Sequence, residues 1–179
     1  VDPDNRRPVD YALRRTWLSG LNARTSENRL QDLADELVAT RRDGRIKLYV
    51  TSRVLNFRLV NRSLFEKGSY VPLTASGIAE DNICSFARIE GKNRVIIVVP
   101  RFLTRLARNP EGLPFGRETW GSCFLPAPFE KAARFTYRNM FTGELLGGCE
   151  HEGAYGFFVK DVFARFPVAL LKKEMVDEK

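Results

Sequence analysis

One change of hydrophobic period, near Gly68, constrains the fold of this 179-residue chain more than any other feature. Upstream of it, apolar residues recur at helical spacing; downstream, they recur every second residue between Gly, Pro and Asn turns. A chain that reads helix first and strand afterwards is neither a helical bundle nor a βαβ array. The pattern predicts an α+β architecture in which the helices are segregated from antiparallel strands.

In the upstream part, Leu30, Leu33, Ala34, Leu37 and Val38 share one face of a helix predicted over 25–43. Ser26 suits its N-cap, Glu27 its first turn, Arg41 and Arg42 its last turn, and Gly44 its end. A second helix, over 45–62, carries Ile46, Tyr49, Val50, Phe57 and Val60 on one side and Leu48, Leu55 and Leu59 on another. Apolar on so much of its circumference, it needs more than one packing neighbour. Downstream, strands are predicted over 69–74, 82–90, 94–100, 118–125, 133–141, 144–150, 155–160 and 162–172. The run Val95 to Val99 reads as a central strand buried on both faces, while Val162, Ala164, Phe166, Val168 and Leu170 alternate like a half-buried one. Gly91-Lys92-Asn93 and Thr142-Gly143 supply hairpin turns, and Pro167 is expected at an edge or a bulge. The stretch 101–119 is expected to begin with helical turns up to Arg108 and to continue as a Pro/Gly loop. Seven or eight short strands in succession predict an antiparallel β-sandwich over 68–179.

Charge narrows the function classes. With 29 Lys and Arg against 22 Asp and Glu, the chain carries +7, which raises nucleic acid as a partner. Yet residues 1–67 hold 14 basic against 9 acidic groups, and the arginines come in pairs with acidic neighbours, as in a solvated mixed face. Neither a zinc-finger spacing nor a base-stacking motif appears, so nucleic acid is not expected. A membrane partner is not expected either, because Val95 to Val99 is the longest apolar run and a spanning helix needs about 20 residues. Cys84, Cys123 and Cys149, odd in number and widely spaced, read as reduced thiols of a cytoplasmic protein. Cys149 with His151 lacks a second ligand pair, so no metal is expected, and no spacing implies a cofactor. A first residue other than Met, followed by polar turn-formers, suggests a piece of a longer protein.

The residues that carry chemistry are few. His151, the single histidine, falls in a predicted loop and reads as a packing or solvent-facing group. Serines lie in no nucleophile-elbow context, and no catalytic residue emerges. Trp17, Trp120 and Tyr155 are candidate sugar platforms, but burial is the commoner use of large rings. The opening stretch VDPDNRRPVD differs from the rest: Asp2, Asp4, Asn5, Arg6, Arg7 and Asp10, stiffened by two prolines, offer many hydrogen-bonding groups and little to bury. Two readings stay open. In one, the carboxylates bond their own backbone and the arginines in an Asx-type turn. In the other, forked guanidiniums and carboxylates grip adjacent hydroxyls of a polyhydroxylated ligand.

At this stretch the sequence resembles a known family. DPDNRRPVDY, then DGRIKLYVTSRVLNFR, GSYVPL, RNMFTGE and FPVALL, in that order, resemble the C-terminal end of maltooligosyltrehalose synthases of the α-amylase superfamily. The resemblance implies that residues 1–67 end a (β/α)₈ barrel, with 1–10 the loop after its eighth strand and 11–67 its last helical segments. It implies that 68–179 form the β-sandwich that follows. It further implies a parent isomerase that converts the reducing-end α-1,4 linkage of a maltooligosaccharide to α,α-1,1 by intramolecular transglucosylation. That is a retaining mechanism, with two carboxylates about 5 to 5.5 Å apart. On this resemblance those carboxylates lie upstream of Val1, so the chain alone is expected to be inactive. Its contribution to the substrate site is Asp2, Asp4, Asn5, Arg6, Arg7 and Asp10 at the barrel mouth. The partners implied are the maltooligosaccharide and the upstream barrel. A non-catalytic α-glucan-binding sandwich and the end of another α-amylase-type hydrolase or glucanotransferase are the alternatives. Helices cut from a barrel are expected to expose an apolar patch, to self-associate, or to fold onto the sandwich.

Overall fold

The computed structural model describes residues 8–27, 29–106, 112–131 and 135–174. Helix α1 (Tyr11–Ser26) is capped by Asp10, whose carboxylate accepts the Leu13 amide at 2.8 Å. Only Leu21 of this helix is buried, which is why apolar spacing does not reveal it. The stretch 25–43 is therefore not a single helix. Ser26 closes α1, its hydroxyl donating to the Asn22 carbonyl rather than capping a new element. Then come α2 (Leu30–Ala39) and a 3₁₀ turn (Arg41–Asp43). Gly44, at φ 85°, takes the left-handed conformation that lets α3 (Arg45–Val60) start in a new direction. A short α4 (Arg62–Glu66) follows.

Gly68 stands where α4 gives way to β1 (Ser69–Leu73). A Cβ there would lie 2.3 Å from the Leu64 carbonyl oxygen, so no side chain fits between helix and strand. Next come β2 (Ile83–Glu90), β3 (Asn93–Pro100), α5 (Leu103–Leu106), α6 (Gly116–Trp120), β4 (Phe124–Pro126) and β5 (Thr136–Asn139). β6 (Leu145–Gly147), β7 (Cys149–His151), β8 (Ala154–Phe158), α7 (Val159–Val162) and β9 (Ala169–Lys173) complete the described chain. All pairings are antiparallel and make two sheets, ordered β1-β2-β3-β9-β5-β6 and β4-β8-β7.

The six-stranded sheet is buried on both faces, and this sets the layer order. On one face Ala87, Ile96, Val98, Tyr137 and Leu171 meet Leu125 and Phe157 of the smaller sheet. On the other, Val95 and Leu170, with Phe141 and Phe166, meet Leu33, Leu37, Tyr49, Phe57 and Leu64 of the helices. Successive residues of β3 thus feed two different cores, as the run from Val95 predicts, although Val99 is 40% exposed and escapes both. Of the fates expected for the helices, folding onto the sheets is the one observed for α2 to α4. The outer side of α3 stays bare, with Leu55 60% and Leu59 73% exposed. Val60, expected on the packed side, is exposed as well, because it ends the helix beyond the sheet's reach.

Several predicted strands are corrected. The stretch 118–125 begins in a helix, since residues 118–120 belong to α6: Trp120 ends it fully buried on Phe163, its indole N–H donating to the Pro114 carbonyl at 2.7 Å. The stretch 162–172 begins in a helix, since Val159, Val162 and Phe163 are buried at i, i+3, i+4, a helical spacing hidden under the alternation read from Val162 onward. Likewise 155–160 turns helical at Val159, and Pro167 sits in the turn before β9. The stretch 144–150 is two strands in different sheets. It breaks at Gly148, where the Phe135 ring occupies the place a side chain would take.

Candidate functional site

Of the opening-loop residues, Asp2, Asp4, Asn5, Arg6 and Arg7 lie outside the described residues. Asp10 lies within them, and there one carboxylate oxygen serves as the α1 cap. It stands on the rim of an open groove of about 490 Å³ between the start of α1 and the start of α3. Leu13, Arg14 and Trp17 line it from α1, and Asp43, Lys47 and Leu48 from the other side. Acidic and basic groups therefore alternate around an apolar floor. The Arg45 amide and then its guanidinium hold the Asp43 carboxyl below the usual carboxylate range. Val9, Tyr11 and Leu13 project from the same end, 42%, 68% and 43% exposed.

Among the aromatic candidates, Trp17 alone lines this groove. Trp120 is core, and Tyr155 packs against the inter-sheet core. His151 sits 5.1 Å from both the Phe124 and Phe158 rings, as a packing group. Cys123 is buried and accepts the Ala79 amide, and burial pushes the Cys149 thiol up. Among the described residues, no three His, Cys, Asp or Glu groups are placed to hold a metal, and no helix is long and apolar enough to cross a membrane.

The stretches that carry the resemblance meet in space. The Tyr49 hydroxyl, from DGRIKLYVTSRVLNFR, donates to the Phe141 carbonyl of RNMFTGE at 2.7 Å, and Arg53 Nε donates to the Met140 carbonyl at 3.1 Å. Phe166, from FPVALL, stacks on Phe141 at 5.4 Å and meets Tyr49 edge-on at 6.1 Å. Together they form the joint between helices and sheet, and a buried phenol donating a hydrogen bond to a backbone carbonyl fixes its register. Burial raises the Tyr49 pKa, so the phenol stays a donor.

Sequence reasoning missed a buried ionic knot. Arg94, Lys173 and Tyr137 come from β3, β9 and β5, and all three bond the carboxylate of Glu130, whose side chain is 4% exposed. Lys173 reaches it at 2.6 Å, Arg94 and Tyr137 at 2.8 Å. Burial alone would raise the Glu130 pKa, but Lys173, Tyr137 and Arg94 together hold it below its ordinary value. The signal was a charged residue at an inward position of an apolar strand, Arg94 two places before Ile96. The arrangement ties the β4–β5 connection to the sheet and carries no reaction geometry.

No family model matches the chain. Over 174 residues, 97% of its length, it is 28% identical to a "Putative maltooligosyl trehalose synthase" of Mycobacterium tuberculosis, in the strains CDC 1551 and H37Rv alike. The solved structure of maltooligosyltrehalose synthase from Arthrobacter ramosus matches 97% of the chain with a TM-score of 0.62 at 28% identity. A mutant of that enzyme matches with 0.55 at 27%. The chain spans 17% of the curated relatives and 18% of the solved chains. Sequence and structure thus point to one enzyme, and the chain resembles a portion of maltooligosyltrehalose synthase.

Proposed function

We propose that this chain is the C-terminal portion of a maltooligosyltrehalose synthase, with 1–67 the end of its catalytic barrel and 68–179 a β-sandwich that follows. The observation that carries the reading is the joint at Tyr49, Phe141 and Phe166, where three of the stretches shared with that enzyme family come together. The parent protein converts the reducing-end α-1,4 linkage of a maltooligosaccharide to α,α-1,1. In a retaining mechanism a carboxylate displaces the terminal glucose, and that glucose, rather than water, attacks the glycosyl-enzyme intermediate through its anomeric hydroxyl. Both carboxylates come from the upstream barrel, so this chain by itself is inactive; three free cysteines suit a cytoplasmic setting.

The chain contributes position. Asp2, Asp4, Asn5, Arg6 and Arg7 line or brace the barrel mouth, and Asp10 anchors that loop by capping α1. Holding the freed glucose while excluding water favours isomerisation over hydrolysis. The upstream barrel docks on the outer side of α3, along the exposed Leu55 and Leu59 at i and i+4. The test is to incubate the longer protein with maltopentaose and follow reducing ends and free glucose together. Loss of reducing ends with little glucose supports the reading; release of glucose or shorter sugars without that loss moves the protein to the hydrolase or glucanotransferase class.

A further inference from the structure

A second cleft, sharing no lining residue with the Asp10 groove, lies where the helices meet the sheets. It has a volume of about 600 Å³, within the range of small-molecule sites, and opens between α2, the segment before α6 and the segment after α7. Arg165 bridges its walls: Nε donates to Glu144 and Nη1 to Asp35, both at 2.8 Å. The three side chains are 42%, 27% and 53% exposed, so the carboxylates keep lone pairs facing the opening. Arg165 Nη2 bonds no described residue. Val38, Leu113 and the half-buried Phe115 form an apolar wall beside them. A second groove of about 270 Å³, lined by Gly147, Phe158 and Asp161, adjoins the first at the shared Glu144 and Ala164, and the two together are treated as one trough.

The charges choose the kind of ligand. Along the trough Arg41 and Arg165 stand against Asp35, Glu144 and Asp161, and Arg165 is already paired with two of these carboxylates, so no strong positive field is left to hold an anion and the exposed acids are largely balanced. What the trough offers is paired donors and acceptors over an apolar wall, in an elongated shape, and that suits a neutral chain of hydroxyl-bearing rings. We propose that this trough binds a segment of α-glucan, with Arg165, Asp35 and Glu144 bonding adjacent hydroxyls and Phe115 lying against the apolar face of a sugar ring. The choice of α-glucan among neutral glycans rests on the function proposed above; the trough and its chemistry do not.

Affinity electrophoresis of the 179-residue chain through gels containing soluble starch tests it, with dextran gels as the linkage control. The wild-type chain is expected to be retarded by starch and not by dextran. Arg165→Ala and Phe115→Ala are each expected to weaken that binding about tenfold or more, the loss of one good polar or stacking contact. Arg165→Lys, which keeps the charge and loses the fork, falls between, and Tyr70→Ala on the distant edge strand changes nothing. Circular dichroism checks each variant for fold. No starch retardation of the wild type overturns the proposal, as does unchanged retardation of folded Arg165→Ala and Phe115→Ala. Retardation by dextran equal to that by starch also overturns it. If the longer protein lacks mutase activity while starch retardation persists, the functional reading fails and the trough stands. Intact mutase activity without retardation removes the trough alone.

Discussion

If the helical layer is joined to the sheet through Tyr49, removing that side chain must weaken helices and sheet together. Tyr49 is 1% exposed, its ring meets Phe141 at 6.2 Å and Phe166 at 6.1 Å, and its hydroxyl bonds the Phe141 carbonyl. Tyr49→Phe keeps the ring and leaves a buried carbonyl without that donor, a cost of about 1–3 kcal/mol. Tyr49→Ala also loses the ring and opens a cavity, which costs about 3–5 kcal/mol for a buried aromatic. In a chain of this size each kcal/mol lowers the melting temperature by about 2–4 °C. Tyr49→Phe is therefore expected to melt about 2–12 °C lower and Tyr49→Ala about 6–20 °C lower, in a single transition. Calorimetry, with far-ultraviolet circular dichroism and near-ultraviolet signals followed together, checks both the size and the coincidence. Two separate transitions in the wild type, or a Tyr49→Ala variant that melts like the wild type, would refute the shared core.

Other consequences follow from the same packing. Glu130→Gln leaves Arg94 and Lys173 facing a neutral amide in a buried knot and is expected to cost about 3–5 kcal/mol by urea unfolding. The folded-state pKa of Glu130 lies below its ordinary 4.5, so its stabilisation is complete above 4.5 and is lost as pH falls through the lower folded value. A pH series should accordingly show a shallower acid limb in Glu130→Gln than in the wild type. Two glycines should respond with opposite signs: Gly68→Ala destabilises by about 1–3 kcal/mol, since its Cβ would press on the Leu64 carbonyl, while Gly20→Ala, open to solvent within α1, stabilises by about 0.5–1 kcal/mol. The double change Leu55→Gln with Leu59→Gln should leave stability within about 0.5 kcal/mol per site while lowering hydrophobic-dye binding, as expected for exposed positions.

The elements legible in the sequence were those whose burial is one-sided or plainly two-sided. β2 and β3 follow their period of two to within a residue, and the two apolar sides of α3 announced a helix between neighbours, one of which the sheet supplies. α1 escaped because it buries Leu21 alone and carries no apolar stripe to count. α6 and α7 escaped because they are short: α6 buries Trp120 alone, and in α7 Val159 and Val162 flank Lys160 and Asp161, a single turn too brief for a helical period to stand out. The break at Gly148 depends on the Phe135 ring, thirteen positions away, which no local pattern encodes. Of the candidate site, the capping role of Asp10 stayed hidden together with α1, since a cap is legible only where the helix it starts is. The Glu130 knot, drawn from positions 94, 130, 137 and 173, becomes visible only when three strands lie side by side.

The most direct test of the central claim is to produce the upstream part of the longer protein separately and mix it with this chain. The two are expected to co-elute as a one-to-one complex, reducing-end loss from maltopentaose to return only on mixing, and the Leu55→Gln, Leu59→Gln variant to weaken both. An upstream part that is fully active alone and shows no affinity for the chain would contradict it.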